Sequence, residues 1–148
     1  MVHRSTIVGF NKVMNNEQVE FCLNQTRLQT MFCSPEYGKR ILDMRKEGLA
    51  THVRNLVIFQ RYGTPDIAEL KERAQEVGDI QVLTFEEVRE TGRSLAGKVC
   101  RLQPELVQRD DVYMLNYTSG TTGNSKGIKN THWCAIQCQV LDKLTYAS

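Results

Sequence analysis

The sequence predicts an α/β fold, a parallel-rich sheet with flanking helices, and three observations carry that expectation. Leu56-Val57-Ile58-Phe59 is a continuous apolar run of strand length, the pattern of a strand covered on both faces, and Ile80 to Leu83 gives the next strand. Between them lie segments with helical spacing and their own start signals. Glycine or proline punctuates the joins. Strands alternating with helices imply right-handed crossovers and hence parallel pairing.

In chain order, Thr6 to Phe10 leans towards strand. Val19, Cys22, Leu23 and Thr26 recur at helical spacing, which predicts a helix from Glu17 to Arg27 with Asn15 or Asn16 as its N-cap. Leu28 to Cys33 reads as a buried strand. Ser34-Pro35 then starts a second helix, with a capping serine and proline at its first position; Tyr37, Ile41 and Met44 share one face and Gly48 stops it. Gly63-Thr64-Pro65 breaks the next strand, and Asp66 with Glu69 forms a capping box before the stripe Ile67, Leu70, Ala74 and Val77, which ends at Gly78. Thr84 and Glu87 repeat that box ahead of Phe85, Val88 and Leu95. Arg93 to Arg109 is the most linker-like stretch. A strand from Val112 leads into a glycine loop, Ile128 to Thr131 leaves it, and His132 to Leu144 has helical spacing through Trp133, Ile136, Val140 and Leu144.

A chain of 148 residues has about the length of one domain, and 41% hydrophobic with 24% charged residues suffices for a core. A net charge of +2 gives no case for nucleic acid as a partner. The five cysteines are odd in number and scattered, which fits a reducing, cytoplasmic compartment. Cys134 and Cys138 lie four apart near His132, but without further ligands they read as small buried hydrophobes and not as a metal face. His3 and His52 have no partner at ligand spacing. No run approaches the ~18 apolar residues of a membrane span.

The chemistry concentrates in the loop 117–127, Tyr117-Thr118-Ser119-Gly120-Thr121-Thr122-Gly123-Asn124-Ser125-Lys126-Gly127. Glycines let backbone N–H groups converge on an anion, hydroxyls add neutral donors, and Lys126 supplies a mobile point charge suited to polyphosphate. The Walker A template fails: from Gly120 the second glycine position holds Ser125, and Gly127 follows Lys126 where a hydroxyl residue belongs. Extended residues after Gly127 predict that no helix dipole aims straight at the phosphates.

This run resembles the phosphate-binding loop YTSGTTGxPKG of AMP-forming acyl-CoA synthetases and other adenylate-forming enzymes. The resemblance is tight from about Asp110 to His132. Ser125 is the departure, standing where that family most often has proline; Ser125→Pro should be nearly neutral or slightly favourable, since proline limits the unliganded loop without removing a charge. The resemblance implies that the chain is a piece, 1–148, of the large N-terminal domain. It implies ATP-dependent activation of a carboxylic acid to an acyl-adenylate, then to a coenzyme A thioester, most like the long-chain fatty acid–CoA ligases. Thr118, Ser119, Gly120, Thr121, Thr122, Gly123 and Lys126 would hold ATP phosphates, Lys126 would act in catalysis, and the Thr118 hydroxyl would lie near Mg²⁺. Partners would be small molecules, and the resemblance allows the intact protein a place at the cytosolic face of a membrane. A non-catalytic nucleotide-binding or regulatory module, or an enzyme for another carboxylic acid, is the alternative. The adenine, acyl and coenzyme A sites, the acidic metal ligand and the catalytic C-terminal domain are expected beyond Ser148.

Overall fold

A computed structural model describes residues 5–59, 67–96, 107–118 and 125–138. Its elements are β1 (Ile7–Gly9), α1 (Asn16–Thr26), β2 (Thr30–Cys33), α2 (Pro35–Lys46), β3 (Asn55–Ile58), α3 (Ile67–Val77), β4 (Gln81–Thr84), α4 (Phe85–Ser94), β5 (Val112–Thr118) and β6 (Lys126–Thr131). Residues 132–138 are helical. The α/β class holds and parallel pairs predominate. The chain forms two compact units, however, Asn15–Lys98 and Met1–Met14 with Val99–Ser148, where its length suggested one domain. Composition limits how much core a chain can bury, not how many cores it builds.

In the unit Asn15–Lys98 the sheet runs β2-β3-β4, all parallel. Asn15 caps α1 with a full capping box, Ser34 accepts from the Tyr37 N–H at the start of α2, and Thr84 with Glu87 closes the predicted box of α4. Gly48 and Gly78 stop α2 and α3 with φ of 82° and 68°. The predicted Asp66 N-cap and the Gly63-Thr64-Pro65 break lie outside the described residues. Leu23, Ile41, Leu42, Met44, Leu56 and Ile58 are fully buried. A Cβ on Gly38 would come within 2.8 Å of Ile58 Cδ1, so α2 lies against β3 at a distance that leaves no room for a side chain there.

Two expectations about burial need correction. β2 begins at Thr30, not Leu28, and alternates between exposed and buried residues, because only the face carrying Met31 and Cys33 turns to the core. The Phe32, Phe59 and Phe85 rings instead form an exposed row, with centroids 5.9 and 5.0 Å apart. Likewise α4 buries no residue, and Phe85 and Leu95 are exposed. The capping box and Arg–Glu pairs along its own surface support the helix itself, while the Lys71–Glu87 ion pair and the Phe59–Phe85 ring contact tie it to its neighbours. Arg93 and Ser94 belong to this helix, and 97–106 of the predicted linker lie outside the described residues.

In the other unit the sheet order is β1-β5-β6, with β1 parallel and β6 antiparallel to β5. Cys134 and Cys138, expected to be buried, are exposed: the four-residue spacing does put them on one helical face, and that face points outward. Trp133 and Ile136 are also partly exposed, and the remainder of the helix predicted to Leu144 lies outside the described residues. Cys100 and His3 lie there too.

Candidate functional site: the mouth of the β5–β6 hairpin

The motif sits astride an antiparallel hairpin. β5 enters the loop and β6 leaves it, in the register Asn116↔Ile128, Tyr117↔Gly127 and Thr118↔Lys126. Directly opposed residues on such a ladder have Cβ atoms about 4.5–5.5 Å apart and side chains on the same face. Thr118, expected near the metal, and Lys126, expected on the phosphates, are therefore cross-strand neighbours at the open end of the hairpin, and both are exposed. Ser119, Gly120, Thr121, Thr122 and Gly123 lie outside the described residues, between the two ends.

Alternation sends Tyr117 to the opposite face from this pair. It is buried there, with its ring centroid 6.4 Å from that of Phe10. A Cβ on Gly127 would meet the Tyr117 ring at 3.3 and 3.4 Å. The last glycine of the motif thus gives room to an aromatic ring that anchors the hairpin. The sequence placed Gly127 in a phosphate loop; its packing role could have been found from the period-two pairing once the register was known.

The expectation that no helix end faces the phosphates is supported by the far end of β6. That strand runs roughly 17 Å from Lys126 to Thr131. There the His132 N–H donates to the Asp111 carbonyl and the Trp133 N–H to the Arg109 carbonyl, while the Cys134 N–H donates to Thr131 Oγ1. The first donors of this helix are already engaged. The Arg109 guanidinium, 3.7 Å from the centre of the Trp133 ring, and the His132 ring, 5.4 Å from Tyr113, fasten the same corner.

Ser125 was singled out in the sequence only as a departure from the motif. It is 4% exposed, and its hydroxyl has no hydrogen-bond partner among the described residues. No compositional signal announces that. Among the described residues no group of three His, Cys, Asp or Glu side chains could hold a metal, and Thr118, expected near Mg²⁺, offers one neutral hydroxyl oxygen. Mg²⁺ keeps several waters and draws other ligands from substrate phosphates, and a single hydroxyl at the hairpin mouth is compatible with that habit. No helix of the described residues is long and apolar enough to cross a membrane.

Comparison with known proteins agrees with the hairpin. Over 127 residues the chain is 30% identical to long-chain-fatty-acid–CoA ligase 1 of Homo sapiens, covering 85% of this chain and 17% of that protein. It is 31% identical over 127 residues to long chain acyl-CoA synthetase 8 of Arabidopsis thaliana, covering 86% and 16%. The chain therefore spans about a sixth of the length of these relatives. Among solved structures, the adenylation domain of a carboxylate reductase from Mycobacterium chelonae superposes with a TM-score of 0.69 at 25% identity, over 85% of this chain and 20% of that one. An anthranilate CoA ligase in complex with anthranoyl-AMP gives 0.56 at 22% identity, over 86% and 20%, a likeness of fold. The model of the AMP-binding enzyme family matches residues 4–145, nearly the whole sequence, and the chain belongs to that family.

Proposed function

We propose that this chain supplies the phosphate-binding loop of a ligase that activates a long-chain fatty acid with ATP. The carboxylate oxygen attacks the α-phosphorus, the bond to the β-phosphate bridging oxygen breaks, and pyrophosphate leaves. The thiol of coenzyme A then attacks the acyl carbon, loses its proton and displaces AMP to give the thioester. The observation that carries this reading is the register of Thr118 and Lys126 across the hairpin mouth, which brackets the Ser/Thr/Gly run with one hydroxyl and one ammonium.

The chemistry asks for that arrangement. Negative charge grows on the departing pyrophosphate, and a fixed cation beside it stabilises the transition state more than the ground state. Lys126 fills this role, with backbone and side-chain donors of Ser119 to Gly123 on the β- and γ-phosphates. With Mg²⁺ bound beside Thr118, the ion would supply Lewis-acid stabilisation of the same charge. The long-chain acid rests on the sequence relatives, whose names specify it. The odd, scattered cysteines support a reducing, cytoplasmic setting, where the cytosolic face of a membrane would present the acyl substrate.

The test is fatty-acid-dependent exchange of labelled pyrophosphate into ATP by a polypeptide of the relatives' length that carries this segment. Exchange with long-chain but not aromatic acids is expected. Exchange with an aromatic acid alone would reassign the substrate, and tight ATP binding with no exchange for any acid would favour a non-catalytic nucleotide-binding module. The 148-residue chain alone should show no exchange.

A further inference from the structure

We infer that Cys134 and Cys138 form a two-thiolate site for one soft monovalent metal ion, Cu(I). Both thiols are exposed, and both residues lie in the helix 132–138. A spacing of four brings side chains of a helix together on one face, with Cβ atoms about 5–6 Å apart. The start of this helix is fixed. The His132 N–H donates to the Asp111 carbonyl, the Trp133 N–H to the Arg109 carbonyl and the Cys134 N–H to Thr131 Oγ1. The Arg109 guanidinium, 3.7 Å from the centre of the Trp133 ring, holds the residue next to Cys134. The two sulfurs are thus presented outward from a frame that other residues build.

The spacing decides which chemistry the pair can do. A disulfide needs Cβ atoms about 3.5–4.5 Å apart, closer than a helix brings residues four apart. Structural zinc takes four ligands, and no third His, Cys, Asp or Glu joins this pair among the described residues. His132, the nearest candidate, stands two residues before Cys134, off this face, with its ring 5.4 Å from that of Tyr113. A monovalent ion with a filled d shell asks for less: two thiolates in line satisfy it, and soft thiolates select Cu(I). With metal–sulfur bonds of about 2.3 Å, as in zinc thiolates, the sulfurs would stand about 4.6 Å apart. Side chains turned towards one another from Cβ atoms about 5–6 Å apart reach that separation without unwinding the helix. The ion replaces both thiol protons, so two protons are released for each ion bound and the centre carries one negative charge. The pair is exposed where the sequence suggested burial, and the want of further ligands, which weighs against zinc, does not weigh against a two-coordinate ion. Cys22 and Cys33 do not compete, because burial shields them and pushes their thiols up to about 11 and about 12.

The experiment titrates the reduced 148-residue chain with Cu(I), without oxygen, against a chromophoric Cu(I) chelator. Four proteins are compared, all carrying Cys100→Ser: the otherwise unsubstituted chain, Cys134→Ser, Cys138→Ser, and Cys138→Ser with Ile136→Cys. The last keeps the number of thiols but sets the second one two residues from Cys134, on another face. Residues 134, 136 and 138 are all exposed, so these variants keep the fold. One ion per chain is expected, with a change in Trp133 fluorescence and two sulfur neighbours by X-ray absorption. Loss of either thiol should weaken binding by roughly a hundredfold or more, since the second bond is then no longer intramolecular. The relocated pair should bind as weakly as the single-thiol variants. No binding by the unsubstituted chain, unchanged affinity in Cys138→Ser, or equally tight binding by the relocated pair would each overturn the inference. One ion shared between two chains, seen as a copper-dependent dimer in sedimentation, would overturn it as well.

Discussion

The two sheets of this molecule divide labour. In β2-β3-β4 every pair is parallel and β3 is almost wholly buried, so that sheet is held by apolar packing. In β1-β5-β6 only Tyr117 among the strand residues of β5 and β6 is buried, and the ladder ends in the exposed pair Thr118 and Lys126. A sheet that must present a polar loop cannot also submerge its strand ends. On the proposed phosphate reading, stability and chemistry fall to different units, and substitutions in each should therefore be read by different measurements.

The largest effect is expected from Ile58→Ala. Ile58 is fully buried beneath α2, and truncating such a side chain typically costs about 2–5 kcal/mol through lost burial and the cavity left behind. Helix signal in the far ultraviolet comes mainly from the unit Asn15–Lys98, whereas the one tryptophan, Trp133, reports the other unit. In denaturant the circular-dichroism midpoint should fall and the Trp133 midpoint should hold. Equal falls in both would mean that the units unfold together and that the division breaks down.

Lys126→Ala should do the opposite. In a polypeptide of the relatives' length, adenylate formation should slow by about 3 kcal/mol of transition-state stabilisation, on the order of a hundredfold. Thioester formation from supplied acyl-adenylate should change little, since the phosphates that Lys126 is proposed to hold would already have left. Rapid-quench measurement separates the half-reactions. Equal slowing of both would indicate that the lysine acts through folding.

The thiols sharpen the comparison further. Burial pushes Cys22 up to about 11 and Cys33 to about 12 from the ordinary 9.0, whereas Cys134 is exposed. A maleimide at pH 8 should label Cys134 rapidly and reach Cys22 and Cys33 only after unfolding. Because the folded state holds those two protons more tightly, the stabilisation is fully present below pH 9 and is lost as pH rises through 11 to 12. Midpoints of the unit Asn15–Lys98 should therefore fall across that window. Prompt labelling of Cys33 in the native protein would show that the core of β2 opens readily.

Much of this was legible because it depends on local rules. The cap of α1, expected at Asn15 or Asn16 and found at Asn15, the box at Thr84, Pro35 behind its capping serine, and the stops at Gly48 and Gly78 are decided within four residues, and the structure follows them. The loop motif likewise announced the family. Burial was less legible, since it depends on what covers a face: Leu56, Val57 and Ile58 of the continuous apolar run were rightly read as covered, but its last residue Phe59, like Phe32, Phe85 and Cys134, looks apolar in sequence and is exposed. The register that sets Thr118 against Lys126, and Tyr117 against Gly127, is a relation between strands that no single stretch reveals. Ser125 shows the same limit, because a hydroxyl in a polar loop gives no sign that the fold will enclose it.

The smallest effects come from two glycines, one in each unit. Gly38→Ala places a Cβ 2.8 Å from Ile58 Cδ1 in a packed core, and such crowding costs about 1–3 kcal/mol, of which the better helix propensity of alanine returns about 1. At Gly127 the contact is milder, 3.3 Å to the edge of the Tyr117 ring, and a few tenths of an ångström of tilt relieve it. Alanine also recovers roughly 0.5–1 kcal/mol of the entropy that glycine loses in a strand. Gly127→Ala should therefore shift the Trp133 unfolding midpoint by the equivalent of less than about 1 kcal/mol, in either direction. Gly127→Val, whose branched side chain cannot avoid the ring, should lower it clearly. If alanine proves as damaging as valine, Tyr117 is held rigidly, and the hairpin that presents Lys126 is packed as tightly as the core of the other unit.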